Sequence, residues 1–249
     1  MLMPARNSHV ELPPPDDWFA SPLGAALLAA EGEVAARLLE RVFGFIAISV
    51  GGWWPCEPFL DACAIRRCLR MQADGDVISP FDNLALASDS VDAILLPHTL
   101  EFVASPQRLL REVERVLVGE GHVLILGFNP VSAWSARRVF RARHFPESGR
   151  PLALRRLLDW LNLLGFQVLA AERLFRRPPI SHAATLDRLE LLERPRWLPL
   201  PGNAYAILAR KHVYAMTPVR PAWERRRRLV AGIATPAGRG AANLIKKND

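Results

Sequence analysis

No apolar run in this 249-residue chain approaches the ~20 residues that a helix needs to span a bilayer. The first eighteen residues, MLMPARNSHVELPPPDDW, are polar and proline-rich. They lack the apolar segment of a secretory signal, so no signal peptide is expected. Cysteine is scarce. Cys56, Cys63 and Cys68 are odd in number, and their spacings match neither a zinc site nor a thioredoxin motif. They read as reduced thiols of a cytoplasmic protein. No cluster of His, Asp and Glu has metal-ligand spacing, so no metal is expected. There is no G-x-S-x-G and no P-loop sequence, and no internal repeat. Most of the chain also lacks net charge. Of the formal +7, residues 217–249 carry +6, which leaves a near-neutral body without a basic binding face.

What is present is apolar sequence in quantity: half the residues are hydrophobic, enough for a sizeable core. Residues 1–20 read as an extended leader from which Trp18 and Phe19 can dock on the body. Ser21-Pro22 opens a helix, with Ser as N-cap and Pro in the first turn. Leu23, Leu27, Ala30, Val34, Leu38 and Val42 then recur at helical spacing until Gly44. Phe45 to Val50 is a strand closing on Gly51-Gly52. A short helix over Phe59 to Cys63 and a strand over Ile65 to Met71 follow. Val91 to Leu96, VDAILL, is continuously apolar, as a strand buried on both faces should be. Ser105-Pro106 starts a helix with Leu109, Leu110, Val113, Val116 and Leu117 inward, and Arg111, Glu112, Glu114 and Arg115 on its wet side. Gly119 and Gly121 end it before a strand over Val123 to Leu126. A helix over Pro151 to Leu164 and strands over Phe166 to Phe175 and Ala204 to Arg210 complete the body. A helical patch is expected near Thr185 to Glu193.

Strands alternating with helices of this length predict an α/β fold with a mostly parallel, doubly wound sheet. Residues 21–216 form this domain, and 217–249 are expected to be a basic tail whose removal leaves the melting temperature nearly unchanged. Ligands of such sheets sit at the carboxyl ends of the strands. That rule selects the residues just after Val50, Leu96 and Leu126. Gly51 and Gly52 are either a ligand-cradling turn or a plain strand exit. Trp53 and Trp54 pack on the core or stack on a ligand. His98 can act as a general base or can shape the pocket through a bond to a loop carbonyl. Thr99 and Glu101 flank it, placed to orient it or a substrate; Glu101 otherwise reads as a solvated loop carboxylate. Asn129 offers donor and acceptor to a substrate, or caps the turn NPVSAW. Asp92 is expected to bond backbone in a neighbouring loop.

The segment LALASDSVDAILLPHTLEFVASPQRLLREVERVLVGEGHVLILGFNP, Leu84 to Pro130, resembles the second half of a class I S-adenosylmethionine-dependent methyltransferase domain. The shared order is loop, D-S-x-D, strand, short helix, Ser-Pro, a helix with R-E-x-x-R-V-L, a G-x-G turn and a strand. The resemblance covers about residues 22–212. Within it the chain is similar to a small bacterial group of uncharacterised methyltransferase-like proteins, through L-L-P-H-T-L (Leu95 to Leu100) and G-F-N-P (Gly127 to Pro130). The resemblance implies a Rossmann-like sheet closed by a C-terminal antiparallel hairpin, and S-adenosylmethionine as cofactor. It implies cofactor contacts at Ser49, Gly51, Gly52, Trp53, Asp82 and His98, and a substrate pocket at Thr99, Glu101 and Asn129. The first half departs from the family pattern. Ser49 stands where the family has an acid, and Trp53 and Pro55 stand where it has glycines. The ribose-binding acid falls to Asp74 or Asp76.

Two functions follow from the residues and the resemblance. One is methyl transfer from S-adenosylmethionine to an unidentified acceptor, with His98 as the candidate base. The other is a non-catalytic, methyltransferase-like binding protein. Its basic tail, through Arg225, Arg226, Arg227 and Arg228, would touch nucleic acid, an anionic surface or a protein partner.

Overall fold

The computed structural model describes residues 19–51, 54–61, 63–72, 75–132, 134, 149–177 and 202–213. All fall within a compact unit that ends at Val213. Helix α1 (Pro22–Leu39) starts as the sequence predicts: Ser21 Oγ accepts from Gly24 N at 3.1 Å and Pro22 occupies the first turn. Strand β1 (Ile46–Val50), short helix α2 (Glu57–Asp61) and strand β2 (Arg67–Met71) follow. Strand β3 (Val91–Pro97) leads to a single turn, α3 (Thr99–Phe102), and then to α4 (Pro106–Val116). Strand β4 (Leu117–Phe128), helix α5 (Leu154–Leu163) and strands β5 (Phe166–Leu174) and β6 (Ala204–Lys211) complete the unit.

The six strands form one sheet in the order β2-β1-β3-β4-β6-β5. β1, β2, β3 and β4 are parallel, and β6 runs antiparallel between β4 and β5. This is the doubly wound α/β sheet with a closing hairpin that the sequence predicts. Arg67 and Arg70 are accommodated in β2 because it is an edge strand, where charged side chains reach water. Alternate strand residues enter two separate cores. Ile48, Val50, Ile94, Leu96 and Ile125 pack under α4 and α5. Ala47, Ala93, Leu95, Leu124 and Leu126 pack under α1 and α2. Burial on both faces is why β3 reads as a continuous apolar run rather than an alternating one.

Several boundaries differ from the sequence reading. β4 begins directly at Leu117 and runs through Gly119 and Gly121, with a bulge in its pairing to β3. Ser105 stands at the N-cap of α4, but its side chain makes no capping bond. Phe45 is exposed, just outside β1. Asp92 behaves as expected: its Oδ2 accepts from Phe45 N at 2.9 Å and Ile46 N at 3.0 Å and fixes the entry to β1. The connection from β2 to β3 has no helix among its described residues, and one isolated parallel bridge, Met71 to Val77, flanks the sheet there. Residues 1–18, the patch at 185–193 and the tail at 217–249 lie outside the described residues.

Candidate functional site

Strand order reverses between β1 and β3, so the carboxyl ends of these neighbours splay their following segments apart. A crevice at that position is the rule for doubly wound sheets. Gly51 leaves β1 with φ of +117°, a conformation that favours glycine. Its N–H donates to Met71 O at 3.0 Å, which couples the exits of β1 and β2. His98 follows β3 immediately, with φ of +52° and its N–H donating to Leu126 O at 3.0 Å. A left-handed conformation in a non-glycine residue costs free energy and persists only when its surroundings fix it.

The surroundings of His98 do fix it. The side chain is completely buried. Nε2 lies 2.8 Å from Glu31 Oε1, on α1, and Nδ1 lies 3.2 Å from Glu101 Oε2, on α3. Trp54 stacks on the imidazole at a centroid distance of 4.0 Å, and Phe128 lies against it at 4.0 Å. Phe19 meets Trp54 edge-on at 4.7 Å, while Trp134 stacks on Phe128 at 6.2 Å. An aromatic row therefore crosses the carboxyl ends of β1, β3 and β4. Glu101 Oε1 accepts from the backbone N–H of Phe128, so both of its oxygens are engaged. Thr99 Oγ1 donates to Val50 O and ties β3 to β1.

Burial by itself would discharge His98. The charge of Glu31 and the hydrogen bonds to Glu101 and Glu31 outweigh it, and the pKa is pushed up to about 9. Burial raises the Glu31 carboxyl above the ordinary range, while the His98 charge and hydrogen bond and the Trp54 indole N–H pull it back. The site is thus a buried imidazole that favours its protonated form, held between two carboxyl groups.

This geometry corrects two expectations. Glu101 is not a solvated loop group; it is buried and spent on protein. His98 bonds two carboxylates rather than a loop carbonyl. With both nitrogens engaged and the side chain completely buried against Trp54 and Phe128, it has neither a free lone pair nor an open path for base catalysis. Asn129 takes the capping alternative: its Oδ1 accepts from Val131 N at 3.0 Å and its Nδ2 donates to Gly202 O at 2.9 Å. Thr99, Glu101 and Asn129 are therefore occupied in holding strand ends together. Asp82 is partly exposed and faces Arg108 at 3.9 Å. Asp76 accepts from Arg70 N at 2.8 Å, a local turn contact. Gly52, Trp53 and Asp74 lie outside the described residues. Ser49 Oγ, Glu31 Oε2 and Asn203 Oδ1, all at this end of the sheet, are buried without a hydrogen bond of ordinary geometry among the described residues.

Sequence reasoning missed Glu31. The signal was present: it sits four residues after Leu27 and four before Ala35, inside the buried stripe of α1, where an unpaired carboxylate is costly. Trp54 was left between two roles. Its contact with His98 joins residues 44 apart in the chain, which local pattern does not encode.

A family model described as "Methyltransferase domain" matches residues 60–125. An uncharacterised protein of Escherichia coli strain K12, YafS, is 33% identical over 221 residues, which cover 87% of this chain and 88% of that protein. Among solved structures, an S-adenosylmethionine-dependent methyltransferase of Thermotoga maritima aligns over 79% of this chain and 94% of its own, with a TM-score of 0.53 and 16% identity. The [4+2]-cyclase SpnF aligns over 74% and 80%, with a TM-score of 0.51 and 18% identity. At such identities the likeness is one of fold. The cofactor of the methyltransferase superfamily is S-adenosylmethionine. The residues at these strand ends fit it in chemical type: a glycine exit without a Cβ, a buried hydroxyl and a buried carboxyl group.

Proposed function

Because the chain belongs to the class I S-adenosylmethionine-dependent methyltransferase superfamily, in one family with YafS of Escherichia coli, we propose that it methylates an acceptor seated at the carboxyl end of its sheet. The observation that carries this reading is the positive-φ exit of Gly51 beside His98, where the strand order reverses. When bound, S-adenosylmethionine supplies an electrophilic methyl group on a positively charged sulfur. The chain contributes fit and alignment, which account for a large share of the barrier in such transfers. Ser49 and the Gly51–Gly52 turn would hold the amino-acid end. Asp82, just before the loop 84–88, would face the adenine edge. Glu112 and Arg115 pin that loop: Glu112 Oε2 accepts from Leu84 N at 2.9 Å, and Arg115 donates to Leu84 O and Leu86 O at 3.0 Å. His98 is assigned a positioning role, since its ring locks α1, α3 and β4 around the crevice. A cytoplasmic setting is proposed from Cys56, Cys63 and Cys68, all free thiols. Among the described residues, no helix is long and apolar enough to cross a membrane.

Calorimetric titration of the purified protein with S-adenosylmethionine and S-adenosylhomocysteine tests this function. Micromolar binding of both, lost in Gly51→Trp, is the expected result. No binding up to millimolar ligand overturns it.

A second reading has an observation of its own. Trp54 covers one face of His98 at the crevice, and Ser49 stands in place of an acid, as in a pocket remodelled for a role other than turnover. The chain would then be a binding protein whose basic run, Arg225 to Arg228, touches anionic partners. That run lies outside the described residues. Its test is the salt dependence of binding to a nucleic-acid duplex, steep if the contact is electrostatic.

A further inference from the structure

We propose that Glu31, projected from helix α1, binds the α-ammonium group of S-adenosylmethionine through Oε2, an inference that rests on the cofactor reading above. Three observations carry it. The first is an inventory of carboxylate oxygens around His98. Both oxygens of Glu101 are taken, one by His98 and one by the backbone of Phe128. Glu31 Oε1 is taken by His98. Glu31 Oε2 is buried and makes no hydrogen bond of ordinary geometry among the described residues, although the Trp54 indole N–H lies near enough to the carboxyl to favour its charge. The second is charge. Two carboxyl groups flank a single imidazole in a buried cluster, so the imidazole cannot serve as a full cationic partner to both of them. A buried charge is stable only when it is paired, and the partner that completes this cluster is a cation. The third is place. Glu31 bonds directly to the residue that ends β3, beside the β1 exit where the strand order reverses.

The chemistry of the ligand matches. An α-amino acid ammonium carries three N–H donors and a unit charge, and a carboxylate oxygen is its ordinary partner. Other described acids near the carboxyl ends are committed elsewhere: Asp76 to the Arg70 backbone and Asp82 to Arg108. Ser49, at the end of β1, offers a hydroxyl and no charge. The carboxylate that completes the amino-acid pocket therefore comes from the helix that precedes the sheet.

The test is calorimetric titration of wild type, Glu31→Gln and Glu31→Asp with three probes: S-adenosylmethionine, S-adenosylhomocysteine and 5′-methylthioadenosine. The last keeps the adenosine and thioether but lacks the amino-acid end. Glu31→Gln should weaken the first two by about 10- to 100-fold, the range for a lost charged hydrogen bond, and leave methylthioadenosine unchanged. Glu31→Asp should fall between. Equal affinity of both amino-acid ligands for wild type and Glu31→Gln overturns the proposal. So does a parallel loss for all three probes, which would make Glu31 a residue that shapes the pocket. If wild type binds none of the three, the cofactor reading itself fails and this proposal fails with it. Should Glu31→Gln not fold, the wild type is titrated with S-adenosylhomocysteine and its deaminated analogue. A loss of about 10- to 100-fold for the analogue supports the proposal, and equal affinity overturns it.

Discussion

A histidine that is completely buried is expected to be neutral, and His98 is not. Burial disfavours its charge, but Glu31 and Glu101 supply opposite charge at hydrogen-bond distance on both ring nitrogens. The three side chains hold one another, so removing the central one is costly. His98→Gln leaves two buried carboxylates facing each other without their cation. A loss of about 3–5 kcal/mol is expected, read as a lower midpoint in urea unfolding. A loss below about 1 kcal/mol would mean that the cluster is solvated and the charge assignment wrong. The residue type was visible in the sequence, as was its place after β3. Glu101, three residues on, was legible as a group that could orient it; Glu31 was not, because it lies 67 positions away and looks from the sequence like one more acid on a helix.

Elements came through in most of their extent because each is written in local chemistry. Ser21-Pro22 starts α1, Ser105-Pro106 starts α4, and Val91 to Leu96 is apolar enough to be a strand covered on both faces. The ends were less legible where tertiary packing overrides local signals. Gly119 and Gly121 read as the stop of a helix, yet they lie within β4, carried by pairing to β3 and β6. Glu112 and Arg115 read as wet-side charges, yet they clamp the loop 84–88. Gly127 shows the same point. A Cβ built there would lie 2.6 Å from the Tyr205 hydroxyl oxygen, because β6 pairs directly alongside and Tyr205 reaches over to donate to Leu152 O at 3.1 Å. Gly127→Ala should cost about 1–3 kcal/mol through overpacking, measured by thermal melting with circular dichroism. An unchanged melting temperature would show that Tyr205 yields freely.

At the scale of the molecule, the buried cluster makes stability depend on pH. In the unfolded chain His98 titrates near its ordinary value of 6.5; folded, it holds its proton up to about 9. Between these values the folded state binds more protons, so stability is full below the first and declines as pH rises through the second. The Glu31 shift, also upward, acts in the same sense. The expected loss is about 3 kcal/mol across the window, from a shift of roughly two and a half pH steps. Urea unfolding of wild type and His98→Gln between pH 6 and 10 checks it. The wild type should weaken toward alkaline pH, and the variant should lose most of that slope. A flat wild-type profile would mean that His98 is neutral in the fold.

The sequence by itself determined which segments become strands and helices, that the sheet is mostly parallel, and that the strand ends after Val50, Leu96 and Leu126 meet on one edge. Periodicity, continuous apolar runs and cap residues are local, and they survive without knowledge of the partner. Only the tertiary structure decided what occupies that edge: an aromatic row over an imidazolium, with a carboxylate arriving from α1. Burial, pairing and the pKa of His98 depend on distances between residues far apart in the chain, and no spacing along the chain encodes such distances.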